Sequence, residues 1–250
     1  MKRWRQTLNT NDQKPLPMYY RLQALILRDI ESGRWGPGSM IPPERQLVES
    51  YGLSIGTVKK AILNLVNEGY LYRIQGKGTF VTGTTLRRES LRYYRFLEDF
   101  GDKEQELSVQ LTGIRKVSGF QPANSHLGIK PAQPLFELKR IFYWKDRPVV
   151  FCTSYLPAAL FQGIDQIPAS HFAQKTLYLT IEEKFGFPTI FNRELIGAEL
   201  PPAEAARVLR IQRNRPVLFI EMLAFTYRDR PYEYRRAYGV TGSRKIFRQY

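Results

Sequence analysis

Residues 43–81, PERQLVESYGLSIGTVKKAILNLVNEGYLYRIQGKGTFV, predict two short helices, a tight turn and a small hairpin. Pro43 suits the first position of a helix, where the missing N–H costs nothing. Gly52 suits the left-handed conformation that ends many helices. Ser54 can cap the second helix, and Gly69 can end it.

The second predicted helix has two unlike faces. Its apolar side chains recur at helical spacing, so one face is expected to pack into a core. These residues are Val58, Ala61, Ile62 and Leu65. The opposite face is small, polar or basic, with Gly56, Lys59, Lys60, Asn64 and Asn67. A helix of this kind can enter the major groove of DNA, where Lys and Asn bond to base edges or phosphates.

A hairpin follows the helices. Leu71–Ile74 and residues 79–81 are short strand candidates, joined by a turn at Gly76, Lys77 and Gly78. Glycine backbone can approach a phosphate or a minor groove without a Cβ clash. Residues 18–30 form a further amphipathic helix that completes a small core. Three helices and a hairpin of this kind make a winged helix-turn-helix.

Residues at fixed spacing through this region closely resemble the DNA-binding domain of GntR-family bacterial transcription regulators. The matching segments are PMYY at 17–20, IESG at 30–33, PPER at 42–45, EG at 68–69 and RIQGKGTFV at 73–81. The resemblance implies DNA contacts by Arg45, Ser54, Thr57 and the position of Lys59, with residues 75–78 as the wing tip. With the outward helix face, the candidate DNA-binding residues are Arg45, Ser54, Ile55, Gly56, Thr57, Lys59, Lys60, Gln75, Gly76, Lys77 and Gly78.

Two of these residues depart from the family pattern. Ile55 stands where the family commonly has a base-reading arginine, and Lys59 stands where it usually has another. Arginine can hold the O6 and N7 of guanine with two hydrogen bonds, whereas isoleucine can contact only a thymine methyl group. We therefore expect an operator that differs from the family's usual one.

The charge of the chain favours a polyanionic partner. Its 38 Lys and Arg against 23 Asp and Glu give a net charge of +15. Winged helices also serve as protein-contact modules, and a basic protein can bind an anionic membrane. No apolar run approaches the roughly 20 residues that span a bilayer, and no signal peptide precedes the fold. We expect a soluble, cytoplasmic protein that binds double-stranded DNA.

Cysteine and histidine usage argues against a metal or cofactor. Cys152 is the single cysteine, so neither an internal disulfide nor a Cys-based zinc site can form. His126 and His171 stand in unrelated contexts. Cys152 lies in an apolar strand pattern and is expected to be buried.

The remainder of the chain contains an internal repeat with an offset of 82 to 83 residues. Residues 127–155 align with 209–238, and both copies contain the triplet Asp-Arg-Pro, at 146–148 and 229–231. Each copy predicts a strand, a turn started by Asp with Pro fixing φ, and a second strand. Two such hairpins side by side would form an antiparallel sheet with a pseudo-twofold axis. Helices are expected at 176–185 and 201–209.

This second part is similar to the UTRA domain, the effector-binding module of the HutC subfamily within GntR, which shares its fold with chorismate lyase. The resemblance implies an α+β fold, a small-molecule effector that is often a carboxylate or a phosphate, and a homodimer. The expected division is an N-terminal tail at 1–14, a winged helix-turn-helix domain at 15–82, a linker at 83–91 and the UTRA-like domain at 92–250.

The resemblance also implies a set of effector contacts. They are Arg95, Phe96, Arg140, Phe142, Thr153, Ser154, Tyr155, Glu233, Tyr234, Arg236 and Tyr238. Arginines can hold a carboxylate or phosphate with two hydrogen bonds, and hydroxyls add orientation. Phe142 replaces the second arginine of the usual Arg-x-Arg pair, Arg95 replaces a common serine, and Arg147 replaces a frequent glutamate. This favours a small anion with an apolar or aromatic portion.

Simpler roles exist for the same residues. Arg140 or Arg236 can pair with an acid across strands, and Tyr155 and Tyr238, equivalent in the repeat, can serve as packing residues. The fold resemblance also leaves an enzyme with a nucleic-acid-binding appendage as the alternative. The sequence shows no Ser-His-Asp or Cys-His arrangement and no phosphate-binding loop with its lysine. We therefore expect a metabolite-responsive repressor and no catalytic residues.

Overall fold

A computed structural model describes residues 17–83, 96–97, 99, 107–174, 176–242 and 245–246. The chain divides between Thr82 and Gly83 into two units, each with its own core. The expected tail at 1–14 and the expected linker beyond Gly83 lie outside the described residues. Within the described residues, no helix has the length and apolar character needed to cross a bilayer.

The N-terminal unit contains three helices: α1 (Met18–Glu31), α2 (Glu44–Tyr51) and α3 (Ile55–Asn67). Pro43 precedes the first helical residue rather than occupying it, and Gly52 ends α2 with φ 62°. Ser54 caps α3 by accepting a hydrogen bond from the Thr57 N–H. The predicted helices are therefore confirmed to within one residue at these ends.

The core of this unit lies where the apolar faces of the three helices meet. Leu22 and Ile26 of α1, Leu47 of α2, and Val58 and Ile62 of α3 are all buried. Full burial of each large aliphatic side chain contributes about 1.5–3 kcal/mol. The core therefore fixes the orientation of α3 and leaves its polar face outward.

The hairpin pairs β1 (Leu71–Ile74) with β2 (Gly78–Val81), with Leu71 opposite Val81. Met40 adds a single bridge to Phe80 on the other side of β2. Gly78 has φ +139°, which L-residues rarely adopt, and a Cβ there would lie 2.9 Å from Met40 Sδ. Glycine is thus required where the tip of the hairpin meets residue 40.

The C-terminal unit contains a six-stranded antiparallel sheet. Its strands are β4 (Ser108–Val117), β5 (Leu135–Trp144), β6 (Arg147–Pro157), β7 (Phe191–Glu199), β8 (Val217–Thr226) and β9 (Arg230–Gly239). They lie in the order β4-β5-β6-β9-β8-β7. A separate pair joins β3 (Phe96–Leu97) to β10 (Lys245–Ile246). Together with the four α-helices described in this unit, this is the expected α+β architecture.

The order of the strands shows the internal repeat directly. The hairpins β5-β6 and β8-β9 are the predicted copies, and they meet along the antiparallel pair β6 and β9. Thr153 lies opposite Arg236, and the two differ by the repeat offset of 83, so the pseudo-twofold axis passes between them. The repeat also includes the outer strands and the helices α4 (Gln121–His126) and α7 (Ala203–Leu209). The repeat predicted from the sequence begins later, at residue 127.

The Asp-Arg-Pro triplets play a different role from the one expected. Asp146 and Asp229 lie inside the turns with positive φ, of 61° and 51°. Asp tolerates this conformation better than most residues. Pro148 and Pro231 lie in the following strands, each beside an irregularity in the register. The expectation that Asp starts the turn and Pro fixes it is therefore wrong, since proline instead marks a β-bulge.

Helices cover both faces of the sheet. One face packs against α5 (Ala169–Gln174) and α6 (Leu177–Phe185), in a core that includes Leu138, Phe161 and Ile181. We call this the α6 face. The opposite face packs against α4 and α7, in cores that include Leu127 and Leu209. We call this the α4/α7 face.

Replacement of Gly78 by alanine should destabilise the N-terminal unit by about 1–3 kcal/mol, because the backbone conformation there is almost restricted to glycine. Gly36→Ala is the matched control, since a Cβ at Gly36 meets nothing within 4 Å and its φ is not positive. Urea denaturation measures both. Equal stability of the two variants would show that the hairpin tip relaxes freely.

Candidate functional site

The outward face of α3 is largely polar and basic. Ile55, Gly56, Lys59 and Lys60 are exposed at its first two turns, and Thr57 is partly exposed. Ile55 leaves 45% of its surface to solvent. The face therefore presents a small apolar contact beside two ammonium groups.

The start of α3 is held rigidly. Ser54 Oγ accepts from the Thr57 N–H at 3.2 Å and lies 2.8 Å from Thr57 Oγ1. The cap satisfies one backbone donor and stabilises a helix by about 1 kcal/mol. Both hydroxyls thus have a partner inside the helix, and they remain within reach of a ligand at this end.

Two contacts tie the basic surface to the rest of the unit. The Lys60 ammonium lies 4.1 Å from the centre of the Tyr19 ring, a cation–π contact with α1. Arg73 Nη2 lies 2.7 Å from Glu44 Oε1, which joins β1 to the start of α2. Arg45, the next residue of α2, is exposed. Among the predicted DNA contacts, the Lys60 ammonium therefore already has an aromatic partner within the described structure.

The hairpin tip is the second exposed element. All four residues from Gln75 to Gly78 are exposed, and Lys77 donates its backbone N–H to the Ile74 carbonyl at 3.0 Å. The tight turn holds the Lys77 side chain at the end of the hairpin. Its ammonium is thus placed to contact a phosphate.

In the C-terminal unit, the predicted effector contacts fall on two faces of the sheet. Successive side chains of a strand point to opposite faces. Arg140, Phe142, Ser154 and Glu233 point to the α6 face. The α4/α7 face receives Thr153, Tyr155, Tyr234, Arg236 and Tyr238. One small ligand cannot contact both sets through the sheet.

The α6 face contains a buried polar cluster. Arg140 Nη2 donates to Ser154 Oγ at 2.8 Å and lies 3.6 Å from Glu233 Oε1. Arg235 donates to both oxygens of Glu233, with distances of 2.8 to 3.1 Å, and to the Tyr178 hydroxyl at 3.0 Å. We call these five residues the arginine cluster.

Among the described residues, the charges of the arginine cluster do not balance. Two guanidinium groups share one carboxylate, so these three ionised side chains carry one positive charge in excess. Arg140 is 5% exposed, Arg235 1% and Glu233 0%. Arg140 Nε is buried and has no hydrogen-bond partner within the described structure. Since an uncompensated buried charge costs several kcal/mol, this arrangement is suited to an anionic ligand.

The α4/α7 face has a different chemistry. Tyr155 donates its hydroxyl to Glu137, and Tyr234 donates to Glu221. Burial raises the pKa of the Tyr155 phenol, and the Glu137 charge raises it further. Burial also raises the pKa of the Tyr234 phenol, aided by its hydrogen bond to Glu221. Both phenols therefore stay protonated and act as structural donors.

An open cleft of about 570 Å³ lies on this same face. It is lined by Glu199, Leu200, Pro201, Pro202, Arg213, Asn214, Arg236 and Tyr238. Arg236 is half-buried and its guanidinium lies over the rings of Phe219 and Tyr238. The cleft contains two arginines, Arg213 and Arg236. The arginines of the cleft are accessible to water, however, so their charges need no ligand to balance them.

Two members of the arginine cluster were missed from the sequence. Arg235 was passed over in favour of its neighbour Arg236, although the alternation of a strand places Arg235 on the same face as Glu233. Tyr178 reaches the cluster from α6 and has no sequence signal. Arg95 lies outside the described residues, and Phe96 is described only by its backbone pairing with Ile246.

Metal ligands do not converge in the described part of the chain, where no three His, Cys, Asp or Glu side chains are grouped to hold an ion. Cys152 is fully buried, as expected, among Val150, Ile220 and Ala237.

A winged helix-turn-helix with a basic outward face and a separate sheet domain with a buried charged cluster define the class of ligand-responsive transcription regulators. Comparison with known families agrees. Residues 18–81 match the family "Bacterial regulatory proteins, gntR family", and residues 104–241 match the UTRA domain. The chain belongs to the GntR family of bacterial regulators and carries a UTRA domain.

Similar proteins include YurK, an HTH-type transcriptional regulator of Bacillus subtilis, at 34% identity over 88% of this chain and 90% of the relative. The HTH-type transcriptional repressor NagR of the same organism is 28% identical over 97% and 98%. The fold resembles the ligand-binding domain of a GntR-family regulator from Bordetella bronchiseptica, with a TM-score of 0.55 at 22% identity over 64% and 98%. The chain is a DNA-binding transcriptional regulator, and the enzyme alternative is set aside.

Glu233→Gln should destabilise the C-terminal unit by about 3–5 kcal/mol, because it leaves two buried guanidinium groups without their carboxylate. Arg140→Met should cost much less, because it leaves Glu233 and Arg235 as a balanced pair. Urea denaturation in chloride buffer measures the free energy of unfolding of each. Equal losses in the free energy of unfolding of the two variants would contradict an excess of positive charge in the arginine cluster.

Proposed function

We propose that this regulator is a repressor whose affinity for its operator changes when a small anionic metabolite binds at the arginine cluster. The supporting observation is the excess positive charge of three buried side chains. A carboxylate or phosphate group would balance this charge and accept hydrogen bonds from Arg140. Glu233 would then be available to a hydroxyl or amine of the same ligand.

The surroundings of the cluster favour a ligand with an apolar portion. The Arg140 guanidinium lies 5.9 Å from the centre of the Phe142 ring, and the Arg235 guanidinium lies 5.3 Å from that of Tyr178. Where a second arginine would bind another phosphate oxygen, Phe142 offers a ring face. This supports a compact anion with an aliphatic or aromatic part over a highly polar sugar phosphate.

Ligand binding and DNA binding are coupled by linkage. A metabolite that prefers one arrangement of the regulator shifts the population toward it, and DNA shifts the same equilibrium by the same factor. We further propose a homodimer, because two winged heads related by a twofold axis fit a pseudo-palindromic operator with half-sites about one helical turn apart.

In the complex with DNA, α3 supplies the residues that contact base edges, and the hairpin tip supplies a phosphate contact. Ile55 and Lys59 replace side chains that hold guanine with two hydrogen bonds, so these positions favour a thymine methyl group and a single acceptor. Arg45 at the start of α2 has a guanidinium free to hold a base or phosphate. We propose that Arg45 contributes to operator preference and Lys77 to affinity for any DNA.

Arg45→Ala should therefore abolish the preference for the operator over random DNA. Lys77→Ala should weaken binding to both and reduce the slope of log K against log salt by about one unit. The operator is first selected from random duplexes by the purified protein, and titrations at several salt concentrations follow. Normal operator preference in Arg45→Ala would contradict the proposed docking.

Arg140→Met should remove the ligand-induced change in DNA affinity and leave DNA binding itself intact. Arg236→Met on the α4/α7 face is the matched control and should keep the response. The ligand is found by a thermal-shift screen of carboxylates and phosphates, because a compound that binds the native state raises its stability. If Arg236→Met loses the ligand-induced change in DNA affinity and Arg140→Met keeps it, the effector binds in the open cleft and not at the arginine cluster.

A further inference from the structure

The open cleft on the α4/α7 face belongs to the second copy of the repeat, which consists of β7, α7, β8 and β9. The first copy consists of β4, α4, β5 and β6. The repeat relates the loops of the two copies as well as their strands. In the first copy, the Ile129 N–H donates to the Asn124 carbonyl at 3.0 Å. In the second, the corresponding Ile211 N–H donates to the Ala206 carbonyl at the same distance. Each residue that lines the cleft therefore has a counterpart in the first copy.

In the first copy, the space that corresponds to the cleft is closed by packing. The Phe120 ring stacks on the Tyr155 ring, with 4.7 Å between their centres. The backbone beside Phe120 also touches the facing loop, because Gly119 has φ +136° and a Cβ there would clash with the Pro131 carbonyl oxygen. An aromatic ring and a close backbone contact thus fill this position.

Two prolines replace these residues in the second copy. Pro202 corresponds to Phe120, and its smaller ring leaves room beside Tyr238. Pro201 corresponds to Gly119, and a side chain at this position prevents the close approach that glycine allows. Both prolines line the cleft. The opening therefore follows from the sequence at the start of α7.

A buried asparagine holds the loop of the first copy in place. Asn124 is 1% exposed and donates to the Lys130 and Gln133 carbonyls, at 2.7 and 3.0 Å. Its counterpart in the second copy is Ala206, whose methyl group cannot donate a hydrogen bond. The loop of the second copy instead brings an exposed arginine, Arg213, to the cleft.

The cleft carries charges that the first copy lacks at the same positions. Its charged lining residues are Arg213, Arg236 and Glu199. Their counterparts are Pro131, Thr153 and Val117. Two guanidinium groups and one carboxylate therefore line an opening that has neutral counterparts in the other half of the sheet.

The charges of Arg236 and Glu199 act on the same hydroxyl group. The Arg236 guanidinium lies 5.3 Å from the centre of the Phe219 ring and 5.9 Å from that of Tyr238, and these contacts orient it. Burial raises the pKa of the Tyr238 phenol, the Arg236 charge lowers it, and the Glu199 charge raises it. A small molecule with an acid group and an ammonium group can therefore reach both charges.

We propose that the open cleft is a second ligand site that binds a small acidic amino acid. Its two carboxylates bind Arg213 and Arg236, and its ammonium group binds Glu199. Pro202 contacts the methylene groups between them. The cleft volume of about 570 Å³ lies in the range of small-molecule sites. The sheet separates this site from the arginine cluster, so the proposal does not depend on the effector proposed above.

The first test measures binding of L-glutamate and L-aspartate to the full chain by isothermal titration calorimetry. Arg213→Ala and Arg236→Met should each weaken binding by about tenfold or more, because each removes a charge-assisted hydrogen bond. Lys130→Ala, on the loop of the first copy, is the matched control and should bind like the wild type. Arg140→Met should also bind like the wild type, because Arg140 lies on the α6 face.

Two results of this test would overturn the proposal. One is that neither amino acid binds the wild type. The other is that binding is lost in Arg140→Met and kept in Arg213→Ala, which places the ligand at the arginine cluster. Neither result contradicts the proposed repressor, whose response to its own effector is measured by DNA affinity.

The second test closes the cleft without changing its charge. Pro202→Phe should abolish binding, because the new ring fills the space beside Tyr238 as Phe120 does beside Tyr155. Circular dichroism checks that the variant is folded. Undiminished binding of L-glutamate in folded Pro202→Phe would exclude the cleft as the site.

The third test examines the ammonium group with glutarate, which is L-glutamate without its amine. Glu199→Gln should weaken L-glutamate binding by about tenfold or more and leave glutarate binding unchanged, because only L-glutamate has a cation to pair with the carboxylate. Equal effects of Glu199→Gln on the two compounds would overturn the proposed position of the amino acid.

Discussion

The C-terminal unit depends on the antiparallel pairing of β6 with β9. Each copy of the repeat is a hairpin with its flanking strand and helix, and neither hairpin can bury both of its faces alone. The pairing from Val150 opposite Gly239 to Tyr155 opposite Tyr234 joins them into one sheet. The arginine cluster depends on it too, because Ser154 and Arg235 come from opposite sides of this junction.

Much of the fold follows from local sequence rules. Gly52, Ser54 and the helical spacing of apolar residues along α3 were sufficient to predict the helix-turn-helix, and the two Asp-Arg-Pro triplets located the hairpins. The outer strands β4 and β7 were missed. The alternation along β4 is interrupted by the bulge at Thr112, and the exposed second half of β7 shows no period of two. Leu195 and Ile196, adjacent and both exposed, break the alternation expected of a half-buried strand.

The site was harder to predict because it requires tertiary information. The sequence identified Arg140, Ser154 and Glu233, but it pooled them with residues of the opposite face. Because alternate side chains of a strand point to opposite faces, counting from Glu233 would have placed Arg235 on its face. Tyr234 and Arg236 would have fallen on the opposite face. Tyr178 could not be found in this way, because it comes from a helix that lies between the two copies and reaches the cluster only through packing. The pKa shifts of Tyr155 and Tyr234 likewise arise from burial on a face that the sequence does not identify.

The symmetry of the sheet does not extend to its polar residues. At positions related by the repeat, with offsets of 82 on the first strand and 83 on the second, Arg140 corresponds to Met222, Ser154 to Ala237, Val150 to Glu233 and Cys152 to Arg235. Each of the four cluster members that lie on strands therefore has an apolar counterpart, so the two halves of the repeat differ in polarity at these positions. A symmetrical frame could hold two sites, whereas this one holds a single cluster. For the effector proposed to bind at this cluster, the stoichiometry is one for each chain and two for each proposed pair of DNA-binding heads.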